Sequence, residues 1–254
     1  MSLKSLSFCI ILGITTFGYA QNVSRPKYQY KYEMIRLDST YDAKIDPKLA
    51  KYVDKKRRQM EKQMQVVVAH TDAELESFAP ESPLSNFLTD LLLNEASHYI
   101  KDTAFDNLDM SMLNFGGIRT SMPAGNVTVG DIFAISPFDN YVTFIALKGS
   151  ELRKALEKFT DKFNAPYAGV TIIYKNNHPA QILVGGNPID DNRLYKLVTV
   201  DFIAEGGDHL IEGIQFEKME LTTVTLRDFL ITELKAMTGR GEKVTGKKDG
   251  RASF

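Results

Sequence analysis

Helix-like and strand-like patterns alternate along residues 66–237, and this alternation constrains the fold more than any other feature. Apolar residues at helical spacing predict helices from about Leu84 to Tyr99, over about 149–163 and over about 225–237. Strand-like runs lie around them, at 66–69, 108–113, 141–147, 170–174, 181–184, 194–200 and 214–220. This order predicts an α+β fold, a mixed α/β layered domain. We place that domain at residues 66–254, where no repeat, low-complexity stretch or linker interrupts the pattern.

The charge balance excludes some classes of function. Lys and Arg number 31 against 32 Asp and Glu, which gives a formal net charge of −1. Nucleic-acid binding usually rests on an excess of positive charge, so no nucleic-acid partner is expected. A hydrophobic content of 43% and a charged content of 25% over 254 residues are ordinary for a soluble globular protein of one large or two small domains.

Residues 1–20 are predicted to be a secretory signal peptide. Lys4 supplies the positive start, an apolar run follows over 8–14, and small residues in 18–20 predict cleavage after Ala20. The apolar run is too short to span a bilayer, so no stable membrane insertion is expected, although a retained anchor is the alternative. The lone Cys9 lies in this segment, so the mature chain has no disulfide framework. A periplasmic or secreted location follows.

Residues 21–65 are predicted to be an N-terminal arm followed by a basic linker-like helix. In the arm, Tyr28, Tyr30 and Tyr32 alternate with polar residues, which indicates either an edge strand or a loose arm. Asp46 and Pro47 suit the N-cap and first position of a helix over 46–64. That helix carries an excess of basic residues: Lys48, Lys51, Lys55, Lys56, Arg57, Arg58 and Lys62, against Asp54 and Glu61. Such a run is more often a solvated face than a membrane or nucleic-acid element.

The inventory of catalytic groups is sparse. The four histidines, His70, His98, His178 and His209, show no metal-ligand spacing, and the chain has no G-x-S-x-G or P-loop motif. No catalytic residue, metal ligand or cofactor is therefore assigned to this chain. Autonomous metal-dependent hydrolysis is disfavoured on the same ground.

Two strand-like runs lead into glycine pairs. Asn114-Phe115-Gly116-Gly117-Ile118-Arg119 follows the run at 108–113, and glycines there let the backbone approach a ligand while the arginine suits a phosphate or carboxylate. A tight turn with a surface arginine is the plainer alternative. Phe202, Gly206, Gly207 and Asp208 follow the run at 194–200, and a carboxylate in such a loop is a good acceptor for paired hydroxyls. Phe202 is either a core residue or a stacking face.

A third loop, Ser136-Pro137-Phe138-Asp139-Asn140, precedes the strand-like run at 141–147. A Pro-Phe step there can present a ring to a flat ligand. Two phenylalanines from separate loops would then clamp a base, and stacking contributes roughly 1–3 kcal/mol per base.

These loops, in this order, resemble the C-terminal domain of the 5′-nucleotidase / UDP-sugar hydrolase family. NFGGIR is similar to the family's N-G-G-G-I-R signature, and DFIAEGGDHL is similar to its F-x-x-x-G-G-D segment. ESPLSNFLTD resembles the opening helix, GNVTVGDIFAISPFDN and ALKGSELRKALE the middle segments, and KKDGR the closing Asp-Gly-Arg. The helix at 46–64 resembles the interdomain linker, so the resemblance extends over about 46–254.

The resemblance implies a division of labour, in which a C-terminal domain holds the nucleoside for a separate two-metal phosphoesterase domain. It implies that Phe138 and Phe202 sandwich the base and that Asp208 binds the ribose hydroxyls. The remaining implied contacts, to the nucleoside and the phosphate end, come from Asn114, Gly116, Gly117, Arg119, Gly206 and Gly207.

The chain departs from the family pattern in three respects. The D-x-H, G-N-H and G-H-x-H signatures of the metal domain do not occur in it. Phe78 stands where members often have a phosphate-binding arginine, and Ser85 replaces a glycine. The function predicted is therefore an exported nucleotide-binding or nucleoside-binding subunit of a split 5′-nucleotidase, whose divalent metals lie in a separately encoded metallophosphoesterase chain. The alternative is a stand-alone periplasmic nucleoside- or nucleotide-binding protein without catalysis.

Overall fold

The structure is a computed structural model, and it describes residues 30–36, 38–39 and 46–253. The chain divides into two units, Met1–Ala50 and Lys51–Phe254. In the first unit, residues 30–36 form neither helix nor strand, which favours the arm over the edge strand for Tyr30 and Tyr32. Tyr28 and the predicted signal peptide lie outside the described residues.

The helices and strands interleave as the sequence predicts, which confirms the mixed α+β fold class. The described α-helices are α1 Pro47–Met64, α2 Pro83–Glu95, α3 Val129–Ile135, α4 Gly149–Leu156, α5 Asp201–Ala204 and α6 Leu226–Gly239. The described strands are β1 Val67–Thr71, β2 Met110–Met112, β3 Gly125–Thr128, β4 Tyr141–Lys148, β5 Tyr167–Ala168, β6 Val170–Lys175, β7 His178–Val184, β8 Asn187–Pro188, β9 Leu194–Val200, β10 Lys218–Thr225 and β11 Ala252–Ser253.

The largest sheet determines where the connecting loops meet. Its five strands have the order β10-β4-β9-β2-β5, and β2 runs parallel to β9. β4 is antiparallel to β9, with Val142 opposite Val200, and β10 is antiparallel to β4, with Thr225 opposite Tyr141. The N-terminal end of β4 and the C-terminal ends of β2, β9 and β10 therefore lie at the same end of the sheet. Ligands commonly bind at such an end of the sheet in α/β proteins, where loops diverge from the strand ends.

Helix α2 supports one side of this sheet, where β5 is the edge strand and β2 is its neighbour. It packs against β2 and β5, and Leu84, Leu88 and Leu92 are fully buried, which stabilises the fold by about 1.5–3 kcal/mol per side chain. Its N-terminus has a capping box: Ser85 N donates to Ser82 Oγ at 3.4 Å, and Ser82 N donates to Ser85 Oγ at 3.1 Å. Ser85, which departs from the family's glycine, thus completes the capping box of the N-cap residue Ser82.

The closing Asp-Gly-Arg segment attaches the C-terminal end of the chain to α2. The Arg251 guanidinium donates to both carboxylate oxygens of Asp90 at 2.9 Å and to the Tyr167 carbonyl at 2.9 Å. The buried Glu81 carboxylate accepts from the backbone N–H of Asp249 at 2.6 Å and of Gly250 at 3.1 Å. This part of the family signature therefore holds the fold together.

Two smaller sheets complete the described strands. One pairs β1 with β3, and the other has the order β11-β6-β7-β8. Helix α6 packs against β1, and α4 packs against β4, β7 and β9.

Helix α1 is confirmed, with Asp46 Oδ1 accepting from Lys48 N at 2.7 Å. None of its residues is buried, and its apolar stripe, which includes Tyr52, Val53 and Met60, is exposed. The basic residues of α1 are thus a solvated face on an unburied helix.

Two predicted elements were misplaced. The helix predicted over 149–163 ends at Leu156, because Thr160 Oγ accepts from Phe163 N at 3.0 Å and closes a local turn that competes with further helix. The strand predicted at 214–220 is β10, Lys218–Thr225, and its position is set by pairing with β4 and by Thr225, which caps α6.

Candidate ligand-binding site

A cavity of about 300 Å³ opens at the sheet edge where β4 starts and β2 and β9 end. This volume is at the small end of the range for small-molecule sites. Three loops and one short helix contribute its lining, which consists of Asn114, Gly116, Gly117, Arg119, Phe138, Asn140, Phe202 and Asp208.

A hydrogen bond between two loops forms the polar wall. Asn114 is 8% exposed, and its Nδ2 donates to Asp208 Oδ2 at 2.6 Å. Gly117 is needed for this arrangement, because a Cβ atom there would lie 2.6 Å from Asn114 Oδ1. At Gly116 the nearest atoms, Asn114 Nδ2 and Asp208 Oδ2, would be 3.6 and 3.8 Å away, which are ordinary contacts.

The two phenylalanines of the cavity are half-exposed. Phe138 is 46% exposed and Phe202 is 41% exposed, so neither is a core residue. Of the two interpretations of Phe202, a core residue or a stacking face, this exposure favours a ring face that is open to solvent. Gly207 lies against this ring, and a Cβ atom there would come within 2.5 Å of Phe202 Cε1. The missing side chain of Gly207 leaves room for the ring against its own loop.

Backbone conformation places the Asp208 carboxylate. Gly206 has φ +96°, and Asp208 has φ +53°, in the left-handed region that non-glycine residues enter only at a cost. Such conformations cluster at functional sites, where surrounding structure holds them. Gly206 supplies the turn and does not itself line the cavity.

Arg119 provides the cation of the site and joins it to a neighbouring groove. Its side chain is exposed, and Nη1 donates to the Gly116 carbonyl at 3.2 Å. It also lines a groove of about 330 Å³ with Glu76, Ser77, Phe78, Ile118, Thr120 and Ser121. Phe78 is 43% exposed there, with Lys248 Nζ 5.8 Å from the centre of its ring. The position at which relatives are expected to have a second arginine thus lines the groove that adjoins the cavity at Arg119.

The cavity combines two open aromatic faces, an anionic acceptor and a guanidinium. Such a set can stack a flat ring, accept hydrogen bonds from vicinal hydroxyls and pair with an anion. Among the described residues, no group of three or more His, Cys, Asp or Glu side chains could hold a metal ion. The described part of the chain thus does not fit the two metals that the family resemblance implies.

Most of the residues singled out from the sequence converge on this cavity. Seven of them line it, Gly207 supports the Phe202 ring, and Gly206 lies one residue away in the same loop. Asn140, which closes the Pro-Phe loop that carries Phe138, also lines the cavity and was not among the predicted site residues. Its polar side chain, two residues after an exposed aromatic, is the signal that would have pointed to it.

Solved structures share this fold. The 5′-nucleotidase precursor of Thermus thermophilus superposes with a TM-score of 0.62 at 24% identity, over 76% of this chain and 40% of that one. The NAD nucleotidase of Haemophilus influenzae superposes with a TM-score of 0.55 at 20% identity, over 75% of this chain and 39% of that one. At these identities the likeness establishes the fold: a 5′-nucleotidase C-terminal type.

Residues 66–214 match the family model described as 5′-nucleotidase, C-terminal domain, and the chain belongs to that family. Protein UshA of Yersinia enterocolitica is 32% identical over 105 residues, which are 39% of this chain and 19% of that protein. The 5′-nucleotidase of Vibrio cholerae is 23% identical over 189 residues, which are 72% of this chain and 33% of that protein. The aligned residues thus span a fifth to a third of these relatives.

Proposed function

We propose that the cavity binds a nucleoside or nucleotide. The base lies between Phe138 and Phe202, the ribose hydroxyls donate to Asp208, and Arg119 pairs with the phosphate. The observation that supports this most directly is that both half-exposed rings line one cavity with the Asn114–Asp208 pair. Relatives named as 5′-nucleotidases support the same class of ligand.

We also propose that this chain is one subunit of a split 5′-nucleotidase-type phosphohydrolase. The binding domain would present its nucleotide to a metallophosphoesterase chain, which would supply the divalent metals. The division of labour implied by the family resemblance supports this, and so does the absence from the sequence of the phosphoesterase signatures. No step of phosphoester hydrolysis is assigned to residues of this chain.

Helix α1 is the surface proposed to dock that partner. From Lys51 onward it carries Lys51, Lys55, Lys56, Arg57, Arg58 and Lys62 against Asp54 and Glu61, and its stripe of Tyr52, Val53 and Met60 is exposed. A partner with an acidic rim around an apolar patch fits this surface, because charge steers association and apolar area supplies affinity.

Export is proposed on the strength of the predicted signal peptide, and a periplasmic or secreted location would follow. In the described part of the chain, no helix has both the length and the apolar character needed to cross a bilayer. Signal cleavage after Ala20 is checked by N-terminal sequencing of the protein recovered from the producing cell.

Calorimetry with adenosine and AMP tests the binding proposal. Native protein is expected to bind both, and Asp208→Asn is expected to weaken adenosine by about tenfold or more, since a hydrogen bond to a charged group is worth roughly 1.5–3 kcal/mol. Asp161→Asn, at an exposed aspartate outside the cavity lining, is the matched control. Absence of binding to either ligand at millimolar concentration would contradict the proposal.

Cross-linking from α1 tests the partner proposal. A photo-reactive residue at Tyr52 should capture a metallophosphoesterase chain in the producing cell, and the same residue at Asn177, in the turn between β6 and β7, should not. Capture from neither position would favour the alternative, a stand-alone binding protein without catalysis.

A further inference from the structure

Helix α6 holds the loop that carries Phe138. Leu226 N donates to the Asn140 carbonyl at 2.7 Å, which fixes one end of the loop. Arg227 Nη1 donates to the Pro137 carbonyl at 3.0 Å and lies 3.5 Å from the carbonyls of Ser136 and Phe138. The loop backbone is therefore bound to the first turn of α6 on both sides of the aromatic ring.

Arg227 is itself well fixed. Its side chain is 12% exposed, its guanidinium carbon lies 4.3 Å from the centre of the Phe133 ring, and Nη2 donates to Asp139. Cation–π contact and charge-assisted bonds of this kind are stronger when they are desolvated. Arg227 does not line the cavity, so it acts on a bound molecule only through the loop.

A second residue couples the two ring-bearing segments. One oxygen of the Asp201 carboxylate, Oδ1, accepts from Tyr141 N at 3.0 Å and from Phe202 N at 2.8 Å. Tyr141 directly follows the Phe138 loop, and Phe202 carries the other ring. One carboxylate oxygen outside the cavity lining therefore links the backbone next to the Phe138 loop to the backbone of Phe202.

We propose that Arg227 and Asp201 are positioning residues that fix the separation of the Phe138 and Phe202 rings, and thereby the site's preference for a planar base. This inference rests on the proposed function, in which those rings stack the base. Neither residue lines the cavity. Loss of either should therefore reduce the affinity of a ligand only to the extent that stacking on the two rings contributes to it. A ligand with no base should bind the variants as it binds native protein.

Two ligands, three variants and one control variant test this. Adenosine binding is measured by calorimetry, and ribose 5-phosphate binding by nuclear magnetic resonance titration. Arg227→Met and Asp201→Ala should each bind adenosine about tenfold more weakly, within the range expected when stacking is lost. Both should bind ribose 5-phosphate as native protein does. Asp201→Asn retains an oxygen acceptor and should restore adenosine binding, and Arg240→Met, beyond the far end of α6, is the matched control.

A double-mutant comparison separates positioning from general stabilisation. In a Phe138→Ala background, Arg227→Met should cause little further loss of adenosine affinity, because its effect passes through that ring. A loss as large as in the native background would overturn the inference. So would equal losses for adenosine and ribose 5-phosphate. If Arg227→Met does not fold, Arg227→Lys, which keeps the charge but not the fork, replaces it in the same comparison.

Hydrogen exchange distinguishes failure of the inference from failure of the proposed function. If native protein binds no adenosine, the proposed function is wrong. Faster exchange at Tyr141 and Phe202 in Asp201→Ala would then still support positioning of the loops. The positioning inference would be overturned, whatever the ligand results, if exchange were unchanged both at Tyr141 and Phe202 in Asp201→Ala and around Phe138 in Arg227→Met.

Discussion

Asn114 and Asp208 stand 94 residues apart in the chain, and one hydrogen bond of 2.6 Å joins the amide of the first to the carboxylate of the second. This bond orients the Asp208 carboxylate toward the cavity and satisfies a buried amide at the same time. It depends on Gly117, whose missing side chain leaves room for Asn114 Oδ1.

The glycine pair allows a matched test of that bond. Gly117→Ala would place Cβ 2.6 Å from Asn114 Oδ1, so Asn114 must move away from Asp208. We expect the binding free energy of adenosine to weaken by about 1–3 kcal/mol, because this is the usual cost of leaving a buried polar group without a hydrogen-bond partner. Gly116→Ala makes only ordinary contacts and should cost clearly less. Equal losses in calorimetry would show that the bond does not orient the site.

The ring faces give a second prediction. Phe138→Ala and Phe202→Ala should each weaken adenosine by about 1–3 kcal/mol. The melting temperature should change little in either variant, because both rings are open to solvent. A fall comparable to that of a buried Phe→Ala change, about 3–5 kcal/mol of unfolding free energy, would instead place that ring in the core.

The phosphate should add only modestly to affinity. Arg119 is the one arginine that lines the described cavity, and Phe78 borders the adjoining groove where relatives are expected to have another. A single exposed, charge-assisted contact contributes at most about 1.5–3 kcal/mol, and screening reduces it.

Calorimetry that compares AMP with adenosine checks this prediction. Arg119→Ala should remove the preference for AMP over adenosine, and Phe78→Arg should increase that preference. If native protein binds AMP more than about a thousandfold tighter than adenosine, which is roughly 4 kcal/mol, a single arginine is not a sufficient account.

The purified chain is expected to show no metal-stimulated release of phosphate from AMP. The described residues contain no cluster of metal ligands, and the sequence has none of the family's phosphoesterase signatures. A phosphate-release assay with added manganese or zinc, on protein purified to constant specific activity, is the measurement. Metal-dependent turnover that co-purifies with the chain would refute the prediction.

Arg251 gives a prediction about stability and pH. Its hydrogen bond holds the pKa of the Asp249 carboxyl below the ordinary value of 3.8. A lowered native-state pKa stabilises the fold above the unfolded-state pKa, and this contribution is lost as the pH falls through the native value. The unfolding free energy of native protein should therefore decrease below about pH 4.

Arg251→Met should reduce that acid dependence and lower the unfolding free energy at neutral pH. The expected loss is about 2–3 kcal/mol, below the usual cost of breaking a buried pair, because Asp90 and Asp249 are partly exposed. Arg240→Met, whose ion pair with Glu242 is exposed, should change stability by less than about 0.5 kcal/mol. Urea unfolding at several pH values compares the three proteins.

The sequence predicted best where a single local pattern decided the outcome. Helix α1 was correct from its N-cap Asp46 onward, because capping and apolar spacing agree there. The two glycine loops lie at one end of the sheet because they follow β2 and β9, which are neighbouring strands. The predicted C-terminal end of α4 was wrong, because the hydrogen bond from Phe163 N to Thr160 Oγ outweighs the helical periodicity of the residues after Leu156.

Some features of the site depend on contacts between distant residues, and no local pattern predicts them. Arg227 reads as an ordinary charged residue in the first turn of a helix, and only the pairing of β10 with β4 brings it against the Pro-Phe loop. Asp201 is likewise inconspicuous in sequence until β4 and β9 pair and Tyr141 N comes within reach. The sequence shows which residues carry chemistry, whereas strand order determines which residues hold them in place.

The cavity is lined by segments that leave three adjacent strands, β4, β9 and β2, at one edge of the sheet. A molecule bound there would act as a removable cross-link between these strand ends, in addition to the hydrogen bonds that already join them. Because it binds the native state alone, it would raise the unfolding free energy by RT ln(1 + [L]/Kd), and the melting temperature would rise with it. A thermal shift thus reports binding, and a library of small molecules screened in this way would identify ligands without any assumption about the reaction they undergo.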